Sequence, residues 1–377
     1  MKTSICEMLG IDIPLLAFSH CRDVVAAVTN AGGFGVLGAS LYTPEQLEHE
    51  LAWIDAQVDG RPYGADILVP EKYEGKGENL DTAALIARVP QRHREFVREI
   101  LARYGVELPE AELTRYSTGG IGDDIGEQLL DVAFRHPIKL IANALGVPPK
   151  FMIDRAKAAG IPVAALVGAK EHAVKQVLAG VDVIVAQGTE AGGHCGEVTT
   201  MVLVPEVIEA IRSIREVPVL AAGGIVTGRQ MAAAVALGAA GAWTGSVWLT
   251  TEEAETAPHT VQKLLAASSR DTVRSKGRTG KPSRQLRSAW TEAWDDEDDQ
   301  DNPGALPMPL QSFLSEPALR RLDVLAERGD PGAQALATYW VGQGVGLMTK
   351  VRPARQVVLE MAEDFLDAAE RLAAFGR

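Results

Sequence analysis

Eight short apolar runs, helical patterns between them and glycine-rich segments at several of their carboxyl ends predict an α/β chain closed into a (β/α)8 TIM barrel. The runs are Ile13–Phe18, Phe34–Ala39, Ala65–Val69, Lys139–Ala144, Pro162–Val167, Val181–Ala186, Pro218–Ala222 and Gly241–Val247. They are rich in Val, Ile, Leu and Ala, as parallel strands covered by helices require. Helical patterns fall at Asp23–Asn30, Pro44–Gln57, Pro149–Ala159, Lys170–Ala179, Pro205–Ile214, Arg229–Leu237 and Pro258–Ala267.

Two stretches exceed a simple barrel. Residues 71–136 form a helical insertion between strands three and four, with helices expected at Arg92–Tyr104 and Ile125–Phe134. A connection of that length is read as a lid or as a cover on the barrel's edge. Residues 270–377 form a C-terminal extension packing on the barrel, within a single domain spanning 1–377. It opens with a basic run from Arg270 to Arg287, followed by the acidic run Asp295–Asp299, and such paired blocks usually sit in solvent. The alternative is that Arg278 or Lys281 reaches an anionic group of a ligand. Its last segment, Pro353–Phe375, reads as an amphipathic helix with Val357, Leu359, Met361, Phe365, Ala368 and Leu372 inward.

Composition narrows the function. A net charge of −13 over 377 residues opposes a general nucleic-acid surface, which needs clustered Lys and Arg. The three cysteines, Cys6, Cys21 and Cys195, cannot all pair and lack metal-site spacing, so no metal is expected and a reducing cytoplasm is the expected location. Gln230–Thr251 is uncharged and long enough to cross a bilayer, but its glycines at 238, 241 and 245 divide it into helix and strand. No membrane partner is expected.

Chemistry concentrates in the segment Ala186-Gln-Gly-Thr-Glu-Ala-Gly-Gly-His-Cys-Gly196 after the sixth strand. Its glycines allow close backbone approach to a ligand, and it offers one imidazole, His194. Catalytic groups of such barrels stand in the loops after the strands. Ala221-Ala-Gly-Gly-Ile225 and Trp243-Thr-Gly-Ser-Val247 end strands seven and eight, where barrel phosphate sites are commonly built from main-chain amides. The glycines of Ala31–Gly38 precede a strand rather than follow one, which excludes a dinucleotide fingerprint. Cys195 as a nucleophile and His20 as a second ligand contact are weaker alternatives.

Together, Asn30–Gly35, Ala186–His194, Ala221–Ile225 and Gly342–Gly346 resemble the nitronate monooxygenase family, formerly called 2-nitropropane dioxygenases. The resemblance implies an FMN-bound barrel. Gly223, Gly224, Gly245 and Ser246 would hold the phosphate, Gln187, Gly188 and Gly193 would line the flavin, and His194 would face the substrate as the catalytic base. Ala17, Phe18, Ser19, Asp66 and Lys139 complete the expected cofactor contacts. The family usually places proline and methionine at the end of strand one, and asparagine where this chain has Asp66.

The activity so implied is oxidation of nitronates or nitroalkanes with O2. His194–Met201 also resembles flavin-dependent enoyl-thioester reductases, so the alternative is an NAD(P)H-dependent flavin reductase acting on an enoyl thioester, quinone or acyl-CoA. A barrel that binds flavin, or only a phosphorylated metabolite, without turnover is the third class. Small-molecule substrate and O2 are the expected partners, with NAD(P)H and a homo-oligomer left open.

Overall fold

The computed structural model describes residues 1–40, 42–74, 76, 78, 82–109, 112 and 123–375. Eight parallel strands close on themselves: β1 Leu15–Ser19, β2 Phe34–Gly38, β3 Gly64–Asp66, β4 Leu140–Asn143, β5 Val163–Val167, β6 Val183–Gln187, β8 Val219–Ala222 and β9 Gly241–Thr244. Between β6 and β8 lies a two-residue strand, β7 Gly193–His194, which belongs to a second sheet. β1 pairs with both β2 and β9, completing the (β/α)8 barrel that the sequence predicts.

Strand parity decides what the barrel offers to a ligand. Leu16, Phe34, Val36, Leu140, Val183, Leu220 and Trp243 pack together inside the ring, whereas Leu15, Ala17, Leu37, Ala65 and Ile141 join the helices outside it. The first helix, Ser4–Leu9, closes the amino end: Ile5, Cys6 and Leu9 join the inner cluster, and Thr3 Oγ1 donates to the Ala240 carbonyl at 2.5 Å. The carboxyl end stays open.

Capping chemistry starts two of the outer helices where local sequence dictates. Thr43 with Gln46 and Thr227 with Gln230 each form a reciprocal cap, at the helices Pro44–Val58 and Gly228–Ala236. The uncharged stretch 230–251 resolves into that second helix, a turn at Gly238 with φ of 100°, and β9. Among the described residues no helix is long and apolar enough to cross a membrane. Helix Thr200–Arg212 begins five residues before the expected Pro205, which falls inside it and removes the N–H that would donate to the Met201 carbonyl.

The two long departures meet each other. Leu85, Phe96, Val97, Ile100 and Leu101 from the β3–β4 connection pack with Trp290, Trp294, Phe313, Leu314 and Leu322 in a second hydrophobic cluster. Phe96 meets Trp294 edge-on at a centroid distance of 5.0 Å. Helix Asp123–Ala133, expected within the insertion, instead contributes Leu129, Leu130 and Ala133 to the main core as a barrel helix. Of the C-terminal extension, helix Ala354–Ala374 packs on the barrel through Val357, Val358, Met361 and Phe365, while Leu359 and Leu372 are exposed. Parts of the 71–136 insertion, including residues 113–122, lie outside the described residues.

The basic run does not form a solvated block throughout. β10 Thr272–Ser275 and β11 Ser283–Leu286 make an antiparallel hairpin, and β11 pairs with β7 so that Ser283 stands opposite His194. Arg284 is buried, with Nε donating to the Thr189 carbonyl at 2.7 Å and Nη1 to Thr272 Oγ1 at 3.1 Å.

Candidate active site

A cavity of about 830 Å³ opens at the carboxyl end of the barrel. That volume lies in the upper part of the 300–1,000 Å³ range usual for small-molecule sites. Its floor is aromatic and apolar: Phe18 and Trp243 stack at 6.3 Å with an interplanar angle of 26°, beside Leu166 and Ala222. Phe18 and Trp243 are inner-face residues of neighbouring strands, which is why they meet.

On one wall, Gly223 and Gly224 adopt φ of 110° and 71°, and Gly245 precedes the short helical turn Ser246–Thr250. A side chain at Gly223 would meet Thr200 Oγ1 at 2.7 Å, whereas a Cβ at Gly245 would meet nothing within 4 Å. The amides of Gly223, Gly224 and Gly245 donate no hydrogen bond within the described protein. Free donors converging on a cavity make an anion site. Ser246 Oγ is already engaged, accepting from Gly342 N at 2.8 Å.

The loop carrying His194 is held from behind. Thr200 donates from N and Oγ1 to Glu190 Oε2, both at 2.9 Å, and the Glu190 carbonyl accepts from Gln343 N at 2.8 Å. A side chain at Gly192 would meet Gly342 N at 2.8 Å, so two backbones pass in contact there. Within that frame His194 Nε2 lies 2.8 Å from Thr279 Oγ1, and its ring centroid is 6.2 Å from that of Trp340.

Burial first, then the positive charges of Lys281 and Arg278, lower the His194 pKa to about 4. The ring is therefore neutral near pH 7. Arg278 is committed elsewhere: its Nε donates to Glu316 at 2.8 Å and its guanidinium stacks 3.8 Å from the centre of the Trp340 ring. Lys281 lines the cavity and makes no ion pair among the described residues. Lys72, Lys175, His172 and Glu71 also line the cavity.

Phe18, Ser19, Asp66, Gln187, Gly193, His194, Gly223, Gly224, Gly245 and Ser246 all reach the cavity wall. Three expected contacts do not. Ala17 points outward into the helix layer, one residue out of phase with Phe18. Gly188 backs onto Thr200, whose Oγ1 would stand 2.2 Å from its Cβ. Lys139 is exposed just before β4, its N–H bonded to the Tyr63 carbonyl at the amino end of the barrel. Cys195 is half-buried and its Sγ contacts the Thr189 carbonyl at 3.6 Å, while burial raises its pKa, which removes the thiolate a nucleophile needs.

Sequence reasoning passed over Trp243, Thr279 and Trp340 as site residues. The inner-face parity of β9 marks Trp243; Thr279 and Trp340 carry no local signal.

An imidazole, a pair of stacked rings and glycine amides without partners among the described residues thus line one cavity at the carboxyl end of the barrel, where barrel enzymes carry out their chemistry. Residues 14–364 match the nitronate monooxygenase family model, and the chain belongs to that family. It is a flavin-dependent oxidoreductase acting on a small molecule.

A Mycobacterium tuberculosis protein with a provisional monooxygenase name is 54% identical over 378 residues, covering 99% of this chain and 98% of its own. A Staphylococcus aureus protein named a probable nitronate monooxygenase is 27% identical over 95% of each chain. Among solved structures, nitroalkane oxidase from Streptomyces ansochromogenes superposes with a TM-score of 0.78 at 25% identity, covering 98% of this chain and 99% of that one. FabK from Thermotoga maritima gives 0.71 at 25% identity, covering 100% and 99%.

Proposed function

We propose that this protein is an FMN-dependent nitronate monooxygenase that oxidises nitronates with O2. The observation that carries the reading is a neutral imidazole at the cavity wall within the field of the unpaired Lys281 ammonium. Such a pair favours an anionic substrate over a neutral one.

The residues fit FMN. The amides of Gly223, Gly224 and Gly245 are free to receive a phosphate, and the Phe18–Trp243 floor suits a planar ring system. Gln187 and Gly193 line the space between them. Bound flavin supplies the capacity to take electrons from a carbon acid anion and pass them to dioxygen.

What the chain itself does follows from the geometry. Lys281 attracts and orients the nitro oxygens of a nitronate. Thr279 fixes the ring of His194 through Nε2, so the imidazole presents one orientation to the substrate. A base with a pKa near 4 is poorly matched to a neutral nitroalkane, since proton transfer is most efficient when the base pKa lies near the working pH. An anion beside His194 opposes the effect of Lys281 and restores the ring's affinity for a proton. His194 thus removes the proton of a neutral nitroalkane slowly and holds it beside the nitronate that forms, whereas a preformed nitronate needs no such step.

One observation favours a second reading. The cavity of about 830 Å³ is also lined by Lys72, Lys175 and Glu71, room that a longer substrate could fill, and the similarity to FabK points the same way. That reading is an NAD(P)H-dependent reductase of an enoyl thioester, quinone or acyl-CoA. Steady-state oxygen consumption separates the two: ethylnitronate supports it in an oxidase, whereas NADPH with an enoyl thioester gives substrate reduction in its place. Oxygen uptake with NADPH and none with ethylnitronate rejects the nitronate reading.

A further inference from the structure

Asp66 ends β3 on the inner face, and it is 7% exposed. Its main chain is satisfied, with the carbonyl accepting from Ala39 N at 2.8 Å. Its carboxyl lines the cavity and has no hydrogen bond or ion pair with any described residue. A buried carboxylate without donors is costly, and the cavity side is where a partner for it can come from.

The groups around it do not supply a counter-charge. Towards β2, the register partner Gly38 carries His20 against it; His20 Nδ1 is bonded to the Gly38 carbonyl at 2.8 Å and burial keeps the ring neutral. Towards β4, Ala142 is apolar, and the neighbouring Asn143 spends its Oδ1 on Val69 N at 2.8 Å. Beyond β3, Glu71 accepts from Val147 N at 3.1 Å and Lys72 stands exposed at the rim. Across the mouth are His194 and Lys281. Burial alone accounts for the raised Asp66 pKa, about 7, so both forms are populated near neutrality.

We propose that Asp66 takes up a proton from solvent when flavin enters the cavity, so that the bound cofactor meets a neutral carboxylic acid whose O–H donates to it. The inference rests on the flavin reading above. A planar occupant excludes solvent from the carboxylate, and no described residue of the wall donates to it in exchange. The acid form is then favoured further, and it alone can donate. Cofactor retention becomes linked to pH through one side chain.

The test is titration of FMN-depleted protein with FMN between pH 7 and 9, read by quenching of flavin fluorescence, for the wild type and Asp66→Asn. In that window the FMN phosphate, with its second pKa of about 6, stays a dianion. Wild-type affinity should fall roughly tenfold per pH unit towards pH 9, as linkage to one proton requires. The Asp66→Asn affinity should stay flat. A pH-indicator dye in weakly buffered solution at pH 8 gives a second measure: about one proton taken up per flavin by the wild type, and none by the variant. Equal pH dependence of the two proteins, or proton release by the wild type, overturns the proposal. Should the variant not fold, the wild-type proton count decides alone. Failure of wild-type protein to bind FMN even at pH 7 defeats the flavin reading itself.

Discussion

His194 Nε2 and Thr279 Oγ1 stand 2.8 Å apart, joining a loop after β6 to the turn between β10 and β11, 85 residues further along the chain. Thr279 Oγ1 also contacts the Lys281 carbonyl at 3.3 Å, so one hydroxyl ties the imidazole to the segment that brings in the ammonium. The contact holds the ring whichever nitrogen carries its proton.

His194→Asn should retain FMN and lose turnover of neutral nitroalkanes by about a hundredfold or more, the usual contribution of a positioned base or acid. Preformed nitronates should still react. Thr279→Val should lower kcat on the nitroalkane by roughly tenfold with KM little changed, as loss of orientation of the base rather than of binding. Steady-state oxygen consumption with matched nitroalkane and nitronate checks both, and equal loss on the two substrates in His194→Asn rejects the proton role.

Gly245→Val tests the phosphate wall cleanly. Its Cβ would meet nothing within 4 Å, so the fold should accept the change with a Tm within a few degrees of wild type while the side chain fills the approach to the amides. Purified protein should be colourless. Gly224→Val should also lose FMN, but φ of 71° and the Glu190 Cβ at 3.2 Å make it less stable as well, by about 1–3 kcal/mol for the strained backbone. Absorbance at flavin wavelengths against protein, with a thermal melt alongside, reads the difference.

Lys281→Met should raise the KM for nitronate about tenfold and leave kcat within a few-fold, because the ammonium acts on a charge present before and after binding. It should also raise the His194 pKa, since Lys281 is the largest of the charges that depress it. In free protein, the acid limb of the kcat/KM profile would then move from near pH 4 towards the ordinary histidine range. An unmoved limb places Lys281 outside the reach of His194.

Phe96→Ala should destabilise the protein by about 3–5 kcal/mol, the range for deleting a buried aromatic side chain. Because Phe96 packs on Trp294, the loss joins two segments distant in sequence. Limited proteolysis should nick both the β3–β4 connection and the segment around residues 289–327 faster than wild type. Cleavage confined to one of them contradicts a shared core.

The barrel was legible because its strands are continuous apolar runs and its helices are amphipathic. Local composition carries both signals. Strand limits shifted by a few residues; β3 closes at Asp66 rather than Val69, where the chain leaves the ring. Cavity-lining residues were legible where glycine or histidine follows a strand, except Gly188, which faces Thr200. Ala17 failed on parity, which the pairing of Leu16 and Phe18 on the inner face could have shown, and Lys139 failed because it precedes its strand. The hairpin that covers His194 and the second core were not legible. Both depend on contacts between segments far apart in sequence, such as Ser283 with His194 and Phe96 with Trp294, and no local pattern encodes those.

The most direct measurement is anaerobic mixing of the purified protein with ethylnitronate, nitroethane, NADH and NADPH in separate stopped-flow runs, following flavin absorbance. The protein should arrive yellow with about one FMN per chain, and ethylnitronate should bleach it at least a hundredfold faster than nitroethane, with both nicotinamides slow. Colourless protein that takes up no FMN, or bleaching by NADPH with none by ethylnitronate, contradicts the account.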